Sequence, residues 1–300
     1  MSQQPNLQGL FERPTTLPDP DAQERLARLV GMDDKIKRLA NVLGVLINPA
    51  GLRKWQDKHH ADADGLLDAV IRRPPLVVLS GDVGSGKTEL AETIGDKVAR
   101  QENIDITLLP LSLSSRGQGR VGEMTQLVST AFEHAFTEAS KFKSTKGAAR
   151  GGVILLVDEA DALAQSRESD QMHHEDRAGV NAFIRGIDRF ANGGLPAVVL
   201  MCTNRLNALD PAVRRRAADI LVFERPDAEQ RHEVLSRRLG SAGFGKADLQ
   251  ALAYGFTYSD ITQRLLPAIV LDAYPDGPIK PSRAIELARS ILPTPPFRDT

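Results

Sequence analysis

One segment of the chain carries residue types that bind phosphate groups. Residues 81–88 read GDVGSGKT and fit the pattern G-x-x-x-x-G-K-[ST] in full. Its glycines let backbone N–H groups approach phosphates closely, and the helix that follows offers its positive N-terminus to the same charge. We predict that Lys87 contacts the β- and γ-phosphates and that the Thr88 hydroxyl binds Mg²⁺. The candidate nucleotide-binding residues are Gly81, Asp82, Val83, Gly84, Ser85, Gly86, Lys87 and Thr88.

A second candidate lies about seventy residues further on, where the apolar run 153–157 ends in two carboxylates, Asp158 and Glu159. Strand ends at this edge of an open α/β sheet are where ligands bind. We predict that Asp158 holds Mg²⁺ and that Glu159 polarises the attacking water. Alternatively, the two acids only cap the next helix. Asp161 is read as a helix-start residue rather than as a third catalytic acid. No Asn-Lys-x-Asp sequence for reading guanine occurs, which favours ATP over GTP.

Alternating strand and helix patterns place these segments in an α/β fold with a parallel sheet covered on both faces. Five strands are predicted, at 76–80, 104–113, 153–157, 197–202 and 219–223. Beyond residue 226 only helical patterns occur, at 229–239, 246–253, 259–273 and 282–291. We therefore predict three parts: a flexible N-terminal arm rich in proline and glycine (1–21), a large α/β ATPase domain (22–226) and a small all-helical lid domain (227–300).

Composition excludes several classes of protein. With 38 basic and 39 acidic residues the formal net charge is −1, which argues against a chain that coats nucleic acid or an anionic membrane. No apolar run approaches the roughly 20 residues of a membrane span. The single cysteine, Cys202, excludes an internal disulfide, and no secretory signal begins the sequence. A cytoplasmic location is expected.

Two further motifs make the chain resemble an AAA+ ATPase, across about residues 25–300. Residues 201–204 read MCTN and residues 209–216 read LDPAVRRR. The resemblance implies that Asn204 positions the lytic water or senses the γ-phosphate. It also implies that Arg215 and Arg216 reach the nucleotide of a neighbouring subunit, in a ring expected to be a hexamer. Arg264 lies on a predicted lid helix near the family's second sensor arginine, although a surface arginine is the alternative.

Shorter matches narrow the resemblance to the pachytene-checkpoint AAA+ proteins, which remodel HORMA-domain proteins. They are NAFIRGID at 181–188, RAADI at 216–220, and Leu266-Pro267 followed by Ala273-Tyr274. Short bacterial relatives accompany HORMA proteins and cyclic-oligonucleotide synthases in antiphage signalling. The resemblance therefore implies a HORMA-domain client and a possible link to such a synthase. The near-zero net charge and the lack of a membrane-spanning run argue against a membrane or nucleic acid as the main partner.

The loop after the second predicted strand departs from the family pattern. Residues 115–123 read SRGQGRVGE and lack the aromatic that grips a threaded polypeptide, with Arg116, Gln118 and Arg120 nearby instead. Without a large apolar side chain each grip buries little surface. Partial remodelling is thus favoured over processive unfolding, unless the segment is a plain flexible loop. Two other functions stay open: a nucleic-acid AAA+ enzyme, such as a loader or transposition helper, and a module that binds ATP without hydrolysing it.

Overall fold

The computed structural model describes residues 9–63, 65–111, 123–144, 148–162, 174–252 and 254–296. These residues form two compact units. The first contains the residues up to Leu26, Asp34–Ser80 and Thr88–Leu221, and the second contains Ala27–Asp33, Gly81–Lys87 and the residues from Val222 onward. The predicted boundary at residue 226 lies close to Val222, but two earlier segments also group with the C-terminal helices.

Six strands form one sheet in the order β1-β3-β4-β5-β2-β6. They are β1 (Thr15–Leu17), β2 (Leu76–Gly81), β3 (Asp105–Pro110), β4 (Gly151–Val157), β5 (Ala197–Thr203) and β6 (Asp219–Phe223). β3, β4, β5 and β2 run parallel, as predicted. All five predicted strands are present, and the α/β class is confirmed.

The first strand corrects the sequence prediction of a purely parallel, five-stranded sheet, and it places regular structure at Thr15–Leu17, inside the arm predicted to be flexible. β1 pairs antiparallel with β3, with Thr16 opposite Thr107. Leu17 is fully buried, and the absence of a side chain on Gly95 leaves room for it, because a Cβ there would lie 2.5 Å from Leu17 Cδ1. Three residues between two prolines are too short to show an alternating pattern, so only the packing reveals this strand. It covers backbone groups that β3 would otherwise leave at the edge of the sheet.

Helices cover both faces of the sheet. In the first unit they are α1 (Pro20–Ala27), α2 (Asp33–Ile47), α3 (Pro49–His59), α4 (Asp68–Ile71), α5 (Lys87–Glu102), α6 (Glu123–Phe142), α7 (His174–Gly193) and α8 (Pro211–Arg214), although the ends of α1, α2 and α5 fall at the unit boundaries. Leu155 of β4 faces a cluster with Phe132 of α6 and Phe183 of α7, whose rings lie 5.6 Å apart. The preceding residue, Ile154, points to the opposite face, where it approaches Gly95 of α5. This alternation explains why β4 and β5 are apolar and buried along their whole length.

The second unit is helical in its C-terminal part, and the four predicted helical stretches are confirmed. They appear as α9 (Ala228–Leu239), α10 (Lys246–Leu252), a π-helical segment (Asp260–Leu265) that continues into α11 (Leu266–Ala273), and α12 (Pro281–Ser290). Their apolar faces share a core that includes Leu235, Leu252, Ile261 and Leu265, and Val30 from the earlier part of the chain joins it. The Tyr258 hydroxyl also donates a hydrogen bond to the Val30 carbonyl at 2.9 Å. None of the described helices is both long and apolar enough to cross a bilayer.

Candidate active site

The loop between β2 and α5 requires glycine at two positions because other parts of the second unit approach its backbone. A Cβ on Gly81 would lie 1.9 Å from the Phe223 carbonyl oxygen. Gly84 has a φ of +73°, and a Cβ there would lie 2.6 Å from Thr257 Oγ1. Any larger residue would force the loop away from its neighbours and strain its backbone. The motif glycines thus fix the shape of a loop whose N–H groups can surround an anion.

Lys87 begins α5, a helix of 16 residues, and its side chain is folded back into the loop. Its Nζ donates to the carbonyl oxygens of Gly81 at 2.9 Å and Asp82 at 2.8 Å, and to Ser85 Oγ at 3.4 Å. Lys87 is only 6% exposed, so a cation is held at the N-terminus of a long helix. Thr88 follows and is exposed. An ammonium, a helix N-terminus and a hydroxyl are the donor set expected for phosphate and its metal ion.

In the first unit, the carboxyl ends of the three central strands lie next to one another. β5 pairs with β2 on one side, with Ser80 opposite Thr203, and with β4 on the other, with Val157 opposite Met201. Asp158 directly follows β4 and is half-buried, and its Oδ1 accepts a hydrogen bond from the Glu159 N–H at 2.8 Å. Glu159 is exposed and adopts a φ of +50°. This backbone conformation is uncommon for a residue with a side chain, and such residues often occur at functional sites.

Asp161 connects the segment after β4 to the segment after β5. It lies in a 3₁₀ turn, Ala160–Ala162, and its Oδ1 accepts hydrogen bonds from Thr203 Oγ1 and, at 3.2 Å, from the Arg205 N–H. Its Oδ2 accepts a longer bond of 3.5 Å from the Asn204 N–H. Asp161 is the middle residue of this turn, and its predicted position at the start of a helix stays a prediction. The sequence analysis did not predict its contact with the Asn204 segment. The signal was Thr203, directly before Asn204, because its hydroxyl can donate a hydrogen bond to a nearby carboxylate.

The two predicted finger arginines differ in their surroundings. Arg216 makes a bidentate ion pair with Asp188 of α7, with Nε–Oδ1 2.7 Å and Nη2–Oδ2 2.9 Å. Hydrogen bonding to Asp188 raises the pKa of Arg216. A third bond of 3.0 Å joins its Nη1 to the Ala212 carbonyl oxygen. Arg215, in contrast, is exposed. Of the pair, Arg215 is therefore the one free to extend away from its own chain.

Arg264 is engaged within the second unit. Its Nη1 donates to Asp260 Oδ1 at 2.8 Å and to the Leu292 carbonyl oxygen at 2.9 Å. A contact between Arg264 and a nucleotide stays a prediction. The loop residues Arg116, Gln118 and Arg120 lie outside the described residues.

Comparison with known proteins agrees with this arrangement of motifs. Residues 77–225 match the ATPase family associated with various cellular activities (AAA). Over its whole length the chain is 60% identical to CD-NTase-associated protein 6 of Escherichia coli strain MS 115-1, and the match covers 99% of that relative.

Solved structures give the same grouping. The chain matches, at 59% identity and a TM-score of 0.90, a chain of the E. coli MS115-1 HORMA:CdnC:Trip13 complex, with coverage of 98% of this chain and 99% of the other. It also matches Rhizobiales Trip13 at 54% identity and a TM-score of 0.74, over 96% of this chain and 100% of the other. The chain therefore belongs to the AAA family of ATPases and, within it, to the group of CD-NTase-associated protein 6.

Proposed function

We propose that the protein hydrolyses ATP and uses the energy to remodel a HORMA-domain protein. The observation that carries this proposal is the likeness, along almost the whole chain, to the Trip13 chain of a complex that also contains HORMA and CdnC. The candidate residues carry groups of the types that ATP hydrolysis requires. The geometry of the motifs and the likeness to that complex thus support the same activity.

Each step of the reaction has a candidate residue. Lys87 and the N-terminus of α5 bind the phosphates, and Thr88 and Asp158 hold Mg²⁺. When bound, Mg²⁺ neutralises charge that develops on the phosphate oxygens. Glu159, exposed and next to Asp158, orients and polarises the attacking water. Asn204 positions that water or senses the γ-phosphate, and Asp161 holds the Asn204 backbone segment.

An oligomer completes the site in this proposal. Arg215 extends to the nucleotide of a neighbouring subunit, where it stabilises the charge of the transition state. Arg216 supports it from within its own subunit, because its guanidinium is held by Asp188 of α7. Hydrolysis then depends on assembly, and we expect a hexameric ring.

The proposed client is a HORMA-domain protein associated with a cyclic-oligonucleotide synthase of an antiphage signalling system. The E. coli relative carries the name CD-NTase-associated protein, which supports that setting. The absence of an aromatic from residues 115–123 favours local remodelling of the client over complete threading. Cys202, the single cysteine, is buried and forms no disulfide within the chain, which fits the reducing cytoplasm proposed as the location.

The test measures ATP-dependent release of a HORMA protein from a bound peptide, with phosphate production followed in parallel. Wild-type protein should release the peptide only with ATP, and Glu159→Gln should not. Glu138→Gln is the matched control, since Glu138 is on α6 and pairs with Lys141 on the surface. ATPase activity that DNA stimulates and a HORMA protein does not would favour the nucleic-acid enzyme instead. Tight ATP binding without any hydrolysis would favour a simple binding module.

A further inference from the structure

The phosphate-binding loop contains an acid that its motif does not require. Asp82 occupies a position where the pattern accepts any residue. A carboxylate in a loop that binds anionic phosphates is unfavourable, because like charges repel most strongly where water is partly excluded. Asp82 is only 16% exposed in its side chain, and its Oδ1 is bonded to the Val83 N–H at 2.8 Å. Its charge therefore needs compensation from nearby.

Arg225 supplies that compensation from a distant part of the sequence within the same unit. Its Nε donates to Asp82 Oδ2, and its side chain is 23% exposed. The Asp82 N–H also bonds to the Phe223 carbonyl oxygen at 3.4 Å, two residues before Arg225. The loop is thus attached by its backbone to the last residue of β6 and by a side chain to the segment that follows β6.

Arg225 also binds the C-terminal segment, through a 2.8 Å bond from its Nη1 to the Thr294 carbonyl oxygen. Thr294 is in turn fixed by Asp260. Its N–H donates to Asp260 Oδ2 at 3.0 Å, and its hydroxyl donates to Asp260 Oδ1 at 2.7 Å. Asp260 is 1% exposed and Thr294 is half-buried, so these hydrogen bonds are partly shielded from water.

The contacts then return to the loop where they began. Asp260 Oδ2 accepts a bond of 3.0 Å from the Thr257 N–H, which shapes the turn at residues 257–260. The Ser259 N–H of that turn donates to the Gly84 carbonyl oxygen at 3.3 Å. A closed series of bonds therefore runs from Asp82 through Arg225, Thr294 and Asp260 back to Gly84.

We propose that Arg225 is a positioning residue for the ATP-binding loop, an inference that rests on the proposed ATPase function. It neutralises Asp82, which lets the loop accept the phosphates. Through Thr294 it also links the conformation of the loop to the order of residues 292–296. ATP binding should consequently protect that C-terminal segment, and Arg225 should be required for the protection.

The experiment measures ATP affinity in a Glu159→Gln background, where hydrolysis is blocked, and KM and kcat in the wild-type background. Arg225→Met should weaken ATP binding about tenfold, an effect of the size expected for one charge-assisted contact. It should raise KM more than it lowers kcat, because Arg225 touches no reacting atom. The ATP affinity of Arg225→Lys should lie between those of Arg225→Met and wild type. Lysine keeps the positive charge but loses the planar guanidinium that bonds Asp82 and Thr294 together.

The double variant Asp82→Asn/Arg225→Met separates charge compensation from simple packing. Removal of the Asp82 carboxylate should make the ATP affinity of the double variant at least threefold higher than that of Arg225→Met. Hydrogen exchange of residues 291–296 should slow on addition of ATP in the parent protein and remain unchanged in Arg225→Met. Arg283→Met is the matched control, because Arg283 is on α12 in the same unit and pairs with Asp272.

Three results would overturn the proposal. ATP affinity of Arg225→Met within twofold of the parent would exclude a role in binding, and a double variant as weak as Arg225→Met would exclude charge compensation. A matching loss in Arg283→Met would show a general effect on the unit. Folding is checked by the melting temperature, and Arg225→Lys provides a second, milder variant that should lose less ATP affinity than Arg225→Met does. If wild-type protein binds no ATP at all, the proposed function fails as well, so the two failures are distinguishable.

Discussion

Carboxylates lie both at the end of β4 and in the turn at Asp260, but their surroundings are opposite. Asp260 is buried and accepts bonds from Thr257, Thr294 and Arg264. Glu159 is exposed, on a strained backbone, and Asp158 is half-buried. A carboxylate whose acceptor sites are filled holds structure together, whereas an open one remains available to water or a metal ion. The difference predicts separate consequences for mutation in the two regions.

Arg215 and Arg216 show the same contrast within two adjacent residues. Arg216 has three bonds inside its own chain, and Arg215 extends into solvent. Their neighbouring positions and identical side chains suggest equal roles. Their different surroundings instead favour the proposed division, in which Arg215 acts on another molecule and Arg216 maintains the geometry.

The largest effect is expected at the open carboxylate. Glu159→Gln should lower kcat by about 100- to 10,000-fold, the range for loss of a general base, while ATP binding is retained through Lys87 and Asp158. Its melting temperature should equal or exceed that of wild type. Glutamine has nearly the same size as glutamate, so packing is kept, and the repulsion between Glu159 and Asp158 is removed. Phosphate release and nucleotide-binding assays check the two parts. Near-normal turnover would remove Glu159 from the proposed role.

The arginine pair gives the next largest effect. Arg215→Ala should reduce ATPase activity about 100-fold without lowering the melting temperature, since the lost interaction is with a neighbouring subunit. Arg216→Ala should also lower stability, by about 1 kcal/mol for a partly exposed ion pair.

Mixing experiments show whether the effect operates between subunits. Arg215→Ala chains mixed with Glu159→Gln chains should regain part of the activity, because some neighbours then form complete sites. Activity that stays absent at every ratio, or that is independent of protein concentration, would contradict an action in trans.

The buried carboxylate should affect stability more than catalysis. Asp260→Ala removes a group that satisfies several donors, and we expect a loss of about 3 kcal/mol in the free energy of unfolding. Asp272→Ala is the comparison, because Asp272 also pairs with an arginine, Arg283, but at the surface. Its effect should be small. Denaturant unfolding measures both, and equal losses would erase the distinction between the two kinds of carboxylate.

The sequence predicts the parts of this molecule that are encoded locally. The glycines and Lys87 of the loop, the apolar run of β4 and the acids that follow it lie within short segments, so their pattern predicts both fold and site. The contacts of Asp82 with Arg225 and of Arg216 with Asp188 join residues 143 and 28 positions apart. No periodicity specifies such a pairing, because it depends on how complete elements pack.

The N-terminal strand shows the same limitation for the fold. β1 has three residues, and its pairing with β3 depends on the space that Gly95 leaves for Leu17. Proline and glycine nearby favoured an arm without regular structure. Composition reports the average preference of a segment, whereas an edge strand forms when a neighbouring strand offers unpaired backbone groups.

The smallest expected effect is a dependence of stability on acid pH that belongs to Asp260. Burial opposes ionisation of this carboxyl, but hydrogen bonds from Thr257, Thr294 and Arg264 outweigh it and lower its pKa to about 2. The unfolded chain has the ordinary value near 4, so it binds a proton at higher pH than the folded chain does. The stabilisation is therefore complete above about pH 5, declines as the unfolded form gains its proton, and is lost as the pH falls through 2.

Linkage between these two pKa values predicts that Asp260 contributes about 1 kcal/mol less to stability at pH 3 than at pH 5. Urea unfolding at the two pH values measures the change for wild type and for Asp260→Asn. Asparagine cannot titrate, so the variant should show a pH dependence weaker than that of wild type by this amount. Asp276→Asn, which keeps Asp260 and replaces an exposed carboxyl of the same unit, should retain the dependence of wild type nearly unchanged. Identical slopes for wild type and Asp260→Asn would show that the hydrogen bonds around Asp260 do not favour its ionised form.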